Sequence, residues 1–149
     1  MRAVIQRVSE ASVSVDSVIS GSITSGLLVY LGVGNDDTIK DLEYIVRKVS
    51  SLRIFTDENG KMNRSIREES SQILLVSQFT LCAITTKGNR PSFTEAAPAD
   101  IGKDLYEEFC EVLSSKINQT VEKGVFGAHM EINLCNDGPV TINIDSKNR

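Results

Sequence analysis

The chain has 149 residues, 16 Lys and Arg against 20 Asp and Glu, a formal net charge of −4, and 40% hydrophobic and 24% charged residues. One domain of this length buries a real core, and the composition excludes a disordered chain, a collagen-like repeat and a membrane span. A pI near 5.0 argues against broad, non-specific nucleic-acid binding and leaves no DNA partner expected, while a local basic site stays open.

Residues 2–8 alternate apolar and polar, which predicts a half-buried strand; with no long apolar stretch there, they do not read as a secretory signal. Residues 12–15 alternate again, and a turn is expected near Gly21. The continuous apolar run at 27–33 predicts a strand covered on both faces. Gly34-Asn35-Asp36-Asp37 reads as a turn that caps a helix, with Asp36-Asp37 better explained as the cap than as metal ligands. Ile39, Leu42, Ile45, Val46 and Val49 recur at helical spacing, placing a helix at about 37–51. Leu52–Phe55 is expected as a short strand closed by the turn at Asp57–Gly60. Ile73–Val76 leads a buried strand into Ser77–Leu81. Residues 84–98 are irregular. A second helix is expected at about 99–116, burying Ile101, Leu105, Phe109, Val112 and Leu113. Strands are expected at 119–123, 129–135 and 140–144, the last two separated by Asn136–Pro139. This order describes a single mixed α/β domain over 1–149 whose sheet curls or closes like a barrel, with two main helices.

Three cysteines, Cys82, Cys110 and Cys135, form no C-x-x-C pair. A disulfide framework or a cysteine zinc site is therefore not expected, and a reducing cytoplasm is the natural compartment. His129 is the single histidine, so no metal site can be built on several histidines. No metal and no cofactor are expected.

Four segments can carry chemistry. Ser77, Gln78, Phe79 and Thr80 close a strand with small polar groups whose hydroxyls and backbone N–H groups can face a cleft and hold a developing oxyanion. From the residues alone, an ordinary strand end is the commoner outcome. Asp137-Gly138 is a hairpin signal, and Pro139 after Gly138 lacks a donor and admits a cis bond. Lys87 and Arg90 beside Gly88 suit phosphate contacts, as does a second basic cluster at Lys61, Arg64 and Arg67; a solvated surface is the alternative for both. Phe126-Gly127-Ala128-His129-Met130 lets a flat ring approach the backbone and pack on Phe or Met, or simply enters a strand tightly.

Taken together, Ser77-Gln78-Phe79-Thr80-Leu81 followed by Asn136-Asp137-Gly138-Pro139-Val140-Thr141 resembles the paired signature of the D-aminoacyl-tRNA deacylase family, also called D-tyrosyl-tRNA(Tyr) deacylases. The resemblance runs through Met1–Val8, Leu52–Phe55, Gly60–Asn63, Lys87–Phe93 and Phe126–Ala128, nearly the whole chain. It implies a homodimer that hydrolyses the ester between a D-amino acid, or glycine, and the terminal ribose of tRNA. It implies that Gly138 and Pro139, joined by a cis bond, enter the partner's active site as a chirality gate braced by Arg7. Ser77, Gln78, Phe79 and Thr80 would line the reacting ester, and Phe126, Gly127, Ala128 and Met130 would hold the terminal adenine. Lys87 and Arg90 would meet the tRNA. Two segments depart from the family. Cys82-Ala83-Ile84-Thr85-Thr86 stands where Tyr-Ala-Asp-Thr-Arg is frequent, and His129 stands where Asp is common. No side-chain base is evident, so backbone N–H groups around Phe79 and Thr80 are expected to hold the oxyanion, with the ribose 2′-OH assisting water. The competing reading is a nucleic-acid-binding homodimer of the same fold without catalysis.

Overall fold

Strand β1, Arg2–Val15, is the spine of the sheet, and its apolar pattern explains its shape. Ala3 and Ile5 are buried, then Val8, then Ala11 and Val13. The period of two slips twice, and the pairing with the last strand shifts at the same places, between Gln6 and Val8 and between Val8 and Glu10. The computed structural model describes all residues 1–149.

β2, Val18–Ile23, folds back on β1 through a two-residue loop. Asp16 and Ser17 both take positive φ, 49° and 66°, the left-handed pair that a tight hairpin requires. The turn expected near Gly21 is therefore at Asp16-Ser17. Gly21 lies inside β2, where a Cβ would come within 2.8 Å of the Lys123 carbonyl oxygen. β3, Gly26–Gly32, pairs antiparallel with β1 and parallel with β6, Gln72–Ser77. Both are covered on two faces, as the unbroken apolar runs predict. Leu27, Val29 and Leu31 join Ile73 and Leu75 in the main core, whereas Leu28, Leu74 and Val76 join a smaller core with Val8, Val13 and Ile23. β7, Glu122–Lys123, extends the sheet beside β6, and the order is β2-β1-β3-β6-β7 with β8 also on β1. The β7 strand covers only the end of the segment expected at 119–123. Phe55–Thr56 (β4) and Met62–Arg64 (β5) form a separate two-stranded hairpin. Leu52 is instead the C-cap of the preceding helix.

That helix, α1, spans Ile39–Ser51 and buries Leu42, Ile45, Val46 and Val49, while Ile39 is exposed. Its cap is not Asp36-Asp37. Thr38 donates its N–H and O–H to the Asp41 carboxylate, at 3.0 and 2.9 Å, which satisfies a donor the helix start would leave free. Asp37 instead accepts the Gly34 N–H at 2.6 Å and pairs with the Met1 ammonium. Helix α2, Ala99–Ile117, buries Tyr106, Phe109, Cys110, Leu113 and Ile117 and stops at Asn118, which is left-handed at φ 55°. Ile101 of the expected apolar face is exposed, because the buried stripe starts at Gly102. Both helices lie over the main core. No helix is long and apolar enough to cross a membrane.

The largest departure is at the C-terminal end. Residues 131–145 are one strand, β8, paired with β1 along nearly its whole length. The expected hairpin at Asn136–Pro139 does not form. Both flanks find their partner in β1, and the turn chemistry is absorbed as an irregularity in one long ladder. The structure is thus a mixed α/β domain with two helices and a nearly closed, barrel-like sheet.

Candidate active site

β3 and β6 run parallel and end together, with Leu31 opposite Ser77. Beyond that end the chain does not continue as a strand to Leu81. Gln78 donates its N–H to the Leu31 carbonyl at 2.8 Å, and Phe79–Cys82 then coil into a 3₁₀ turn. The Leu81 N–H closes back on the Gln78 carbonyl at 3.2 Å. The first N–H groups of such a turn have no acceptor within it. Phe79 therefore brings a backbone donor to the edge of a concavity, and the Thr80 N–H follows it in the same turn.

That concavity is a cleft of about 710 Å³ between the β3–β6 end, the segment 93–98, the start of α2 and the segment 126–130. It brings together Ser77, Gln78, Phe79, Phe126, Gly127, Ala128 and Met130, seven of the residues singled out from the sequence. Its walls are aromatic. Phe79, 57% exposed, meets Phe93 edge to face with centroids 5.1 Å apart. Phe126 leans on Tyr106 at 5.7 Å. Large aromatic surfaces open to water in a concave site are an expected platform for a flat ligand. Two glycines make the walls possible. A Cβ on Gly102 would lie 3.4 Å from the Phe126 ring, and one on Gly124 would lie 2.6 Å from the Met130 sulfur.

The lining is nearly without charge. Its titratable side chains are Tyr106 and His129. Tyr106 donates its hydroxyl to the Leu75 carbonyl at 2.9 Å, and burial pushes its pKa well above the usual phenol range. Burial likewise raises the thiols of Cys82 and Cys110, which removes both as thiolate nucleophiles near neutral pH. No group of three or more His, Cys, Asp or Glu stands ready to hold a metal ion.

Thr80 is exposed and does not line the cleft. Lys87 and Arg90 sit on an exposed loop pinned at its base by pairing of Ile84 with Ser92. Of the second basic cluster, Arg64 is held by Glu58 at 2.6 Å and Glu69 at 3.5 Å, the arrangement of a solvated surface.

Gly138 and Pro139 lie apart from this cleft, exposed in the middle of β8 and joined by a cis bond. Arg7 is beside them. Its Nη1 donates to the Ile54 carbonyl at 2.6 Å, and its Nε lies 3.0 Å from the Asp137 carboxylate in a direction that makes no hydrogen bond. Asn136 ties the same bend down, donating from Nδ2 to the carbonyls of Arg7 and Val140 at 2.9 and 3.1 Å. Gly138 has φ 122°, and a Cβ there would meet Val140 at 2.8 Å and the Arg7 guanidinium at 3.1 Å. Glycine is required on both counts.

Sequence reasoning did not single out Tyr106, Gly102 or the segment 96–99 as parts of the site. Tyr106 looks like any buried helix residue, and only the fold shows that its ring backs Phe126.

Fold and cleft define an α/β domain with an aromatic-walled, nearly uncharged site at the end of two parallel strands. The family model for D-Tyr-tRNA(Tyr) deacylase matches residues 4–145. A D-aminoacyl-tRNA deacylase of Kosmotoga olearia is 56% identical over 147 residues, covering 99% of this chain and 98% of the relative. One of Thermotoga petrophila is 58% identical over 146 residues, covering 98% and 97%. Among solved structures, a c-Myc DNA unwinding element binding protein superposes with TM-score 0.93 at 42% identity, covering 97% of this chain and 98% of the other. A probable eukaryotic D-amino acid tRNA deacylase superposes with TM-score 0.81 at 20% identity over 96% and 98%, a likeness of fold. The chain belongs to the D-aminoacyl-tRNA deacylase family, and it is an enzyme of the hydrolase class.

Proposed function

We propose that this hydrolase cuts the ester between a D-amino acid and the terminal ribose of tRNA in the cleft bounded by Phe79 and Phe126, and that it spares L-amino acids by excluding them. Family membership carries the reaction. The aromatic cleft supports the placement of the substrate, with the adenine against Phe126, Gly127, Ala128 and Met130 and the ester beside Ser77, Gln78 and Phe79. Glycyl-tRNA, with no side chain to exclude, is a substrate in the same reading.

The chirality gate is Gly138-Pro139. These residues do not line their own chain's cleft, and they are exposed. In this reading they reach the cleft of a second copy, which makes the homodimer the working unit. Their carbonyls bond the substrate's amino group, and the backbone leaves no room for an L side chain. Exclusion is the right device on energetic grounds. A pocket that merely prefers one shape gains about 1–3 kcal/mol per small group. Protecting the pool of L-aminoacyl-tRNA takes on the order of 10³–10⁴-fold, or roughly 4–5.5 kcal/mol. A rigid wall supplies that by clash.

Chemistry at the ester falls to backbone and substrate. Attack of water places negative charge on the carbonyl oxygen, and the N–H groups of Phe79 and Thr80 stabilise it. The cleft supplies no carboxylate and no low-pKa thiol. The vicinal ribose 2′-OH therefore orients the water. As the intermediate collapses, the carbon–oxygen bond to the ribose breaks and the proton lost by the attacking water passes, by way of the 2′-OH, to the departing ribose oxygen, giving free D-amino acid and tRNA. Lys87 and Arg90, exposed on their loop, contact the tRNA backbone. A cytoplasmic setting, where charged tRNA is found, fits this activity.

One observation favours a second reading. The structural relative named as binding a DNA unwinding element shares this fold at 42% identity, so a nucleic-acid-binding protein without catalysis is the alternative. Deacylation of matched D-Tyr-tRNA and L-Tyr-tRNA by the purified protein separates the two. Rapid loss of the D ester with the L ester spared is expected. Tight nucleic-acid binding with neither ester cleaved would overturn the enzymatic reading.

A further inference from the structure

We infer that His129 is a specificity residue for the phosphodiester that joins the terminal adenosine to the rest of the substrate, binding it as an imidazolium. The inference rests on the placement of the adenine given above. Among the side chains lining the cleft, His129 alone can carry charge near neutral pH, because Tyr106 is a buried phenol held protonated. A nucleoside seated on Phe126 and Met130 must keep its charged 5′-phosphate out of the apolar part of the site, since burying it there unpaired is costly. His129 lies between those residues in sequence and is exposed at the mouth. A phosphodiester carries one negative charge throughout the range in which imidazole titrates, and an imidazolium donates a charge-assisted hydrogen bond to it.

The surrounding elements do not offer a competing cation in the cleft. Lys123 on β7 is paired with Glu107, and Arg2 is held by Asp145 at 3.2 Å and Glu95 at 3.7 Å. The charged side chains nearest in sequence on the packed elements are Glu95, Asp100, Lys103 and Asp104 around the start of α2, Glu122 on β7 and Glu131 on the histidine's own segment, and none of them lines the cleft. Aspartate at this position would repel the same phosphate, so His129 changes the sign of the charge at the mouth.

The test uses two small esters hydrolysed by the whole protein. One is adenosine carrying D-tyrosine on its terminal ribose hydroxyls, and the other is the same compound as its 5′-methyl phosphodiester. The amino group and the ester titrate and hydrolyse alike in both, so the ratio of their KM values isolates the phosphate. In the wild type the diester is expected to gain about threefold to fivefold over the nucleoside on going from pH 8 to pH 5.5, the size of an exposed ion pair. In His129→Asn this gain is lost, and in His129→Asp the diester becomes the poorer substrate. A ratio independent of pH in the wild type, or unchanged in His129→Asn, overturns the role of His129 while leaving the adenosine site in place. If neither ester is hydrolysed while D-Tyr-tRNA is, the placement of the adenosine fails and the inference with it.

Discussion

Gly138→Ala tests whether the bend in β8 governs chirality. At φ 122° an alanine is strained, and its Cβ would lie 2.8 Å from Val140 Cγ2 and 3.1 Å from the Arg7 guanidinium. The first distance is about 0.7 Å short of the closest comfortable carbon–carbon contact. Val140 cannot yield easily, because it is β-branched and packed on the main core. The strand segment must yield instead. Backbone strain of this kind costs roughly 1–3 kcal/mol. Residues 137–139 are exposed, so the low end, about 1 kcal/mol, is expected, lowering Tm by roughly 2–4 °C for a chain of this size. Activity should suffer more than stability. A displaced wall no longer presents its carbonyls to the substrate amine, and kcat/KM for D-Tyr-tRNA should fall at least about tenfold, or roughly 1.4 kcal/mol of transition-state stabilisation. Single-turnover deacylation of D-Tyr-tRNA and L-Tyr-tRNA, beside a thermal melt, reads both quantities. A variant with the expected Tm loss but a wild-type rate and a wild-type D-to-L ratio would refute the gate.

Thr80→Ala should keep most of its activity, because the Thr80 side chain does not line the cleft, whereas tRNA ending in 2′-deoxyadenosine should be turned over poorly; near-total loss in a folded Thr80→Ala would make the hydroxyl the reacting group. Tyr106→Phe removes a buried hydrogen bond to the Leu75 carbonyl, but that carbonyl also accepts the Gly124 N–H at 2.9 Å. The cost in denaturant melts should be only about 1 kcal/mol, with KM unchanged since the ring stays against Phe126. Asp41 is buried, which would raise its pKa, but hydrogen bonds from Ser146, Thr38 and Lys147 hold it far below the usual carboxylate range. Its contribution is therefore fully present above about pH 4 and lost as pH falls below that, toward its depressed folded value. Asp41→Asn should flatten the acid limb of the stability curve, and an unchanged limb would show that the carboxylate is not what acid protonates.

Much of the architecture was legible because it rests on patterns with one physical meaning. The unbroken runs at 27–33 and 73–76 can be buried only on two faces, and α1 follows directly from Leu42, Ile45, Val46 and Val49. The site segments were legible as short strings, and the fold places seven of those residues around one cleft. What failed did so where a local signal met a longer-range partner. Asp137-Gly138 has turn chemistry, but β1 offers pairing to both sides of it, and the ladder prevails. Phe79-Thr80-Leu81 looks extended, yet it curls once β6 loses its neighbour at the end of β3. Tyr106 and Gly102 entered the site by tertiary packing alone, which no spacing along α2 reveals.

The continuity of β8 has a dynamic consequence. Asn136 pairs opposite Val8 and Thr141 opposite Gln6, so Gly138 and Pro139 are bounded on both sides by ladder within a few residues. Loops that open freely do so because few backbone hydrogen bonds restrain them, and their amides exchange with solvent quickly. This segment has no free arm on which to swing. Of the amides at Asn136 and from Thr141 to Ile144, the alternate ones that point at β1 should exchange slowly and together with those of β1, as one cooperative unit. On the proposed reading of Gly138-Pro139 as the chirality gate, the gate is as stiff as the sheet that carries it, and D-over-L selectivity should hold with temperature until that sheet itself comes apart.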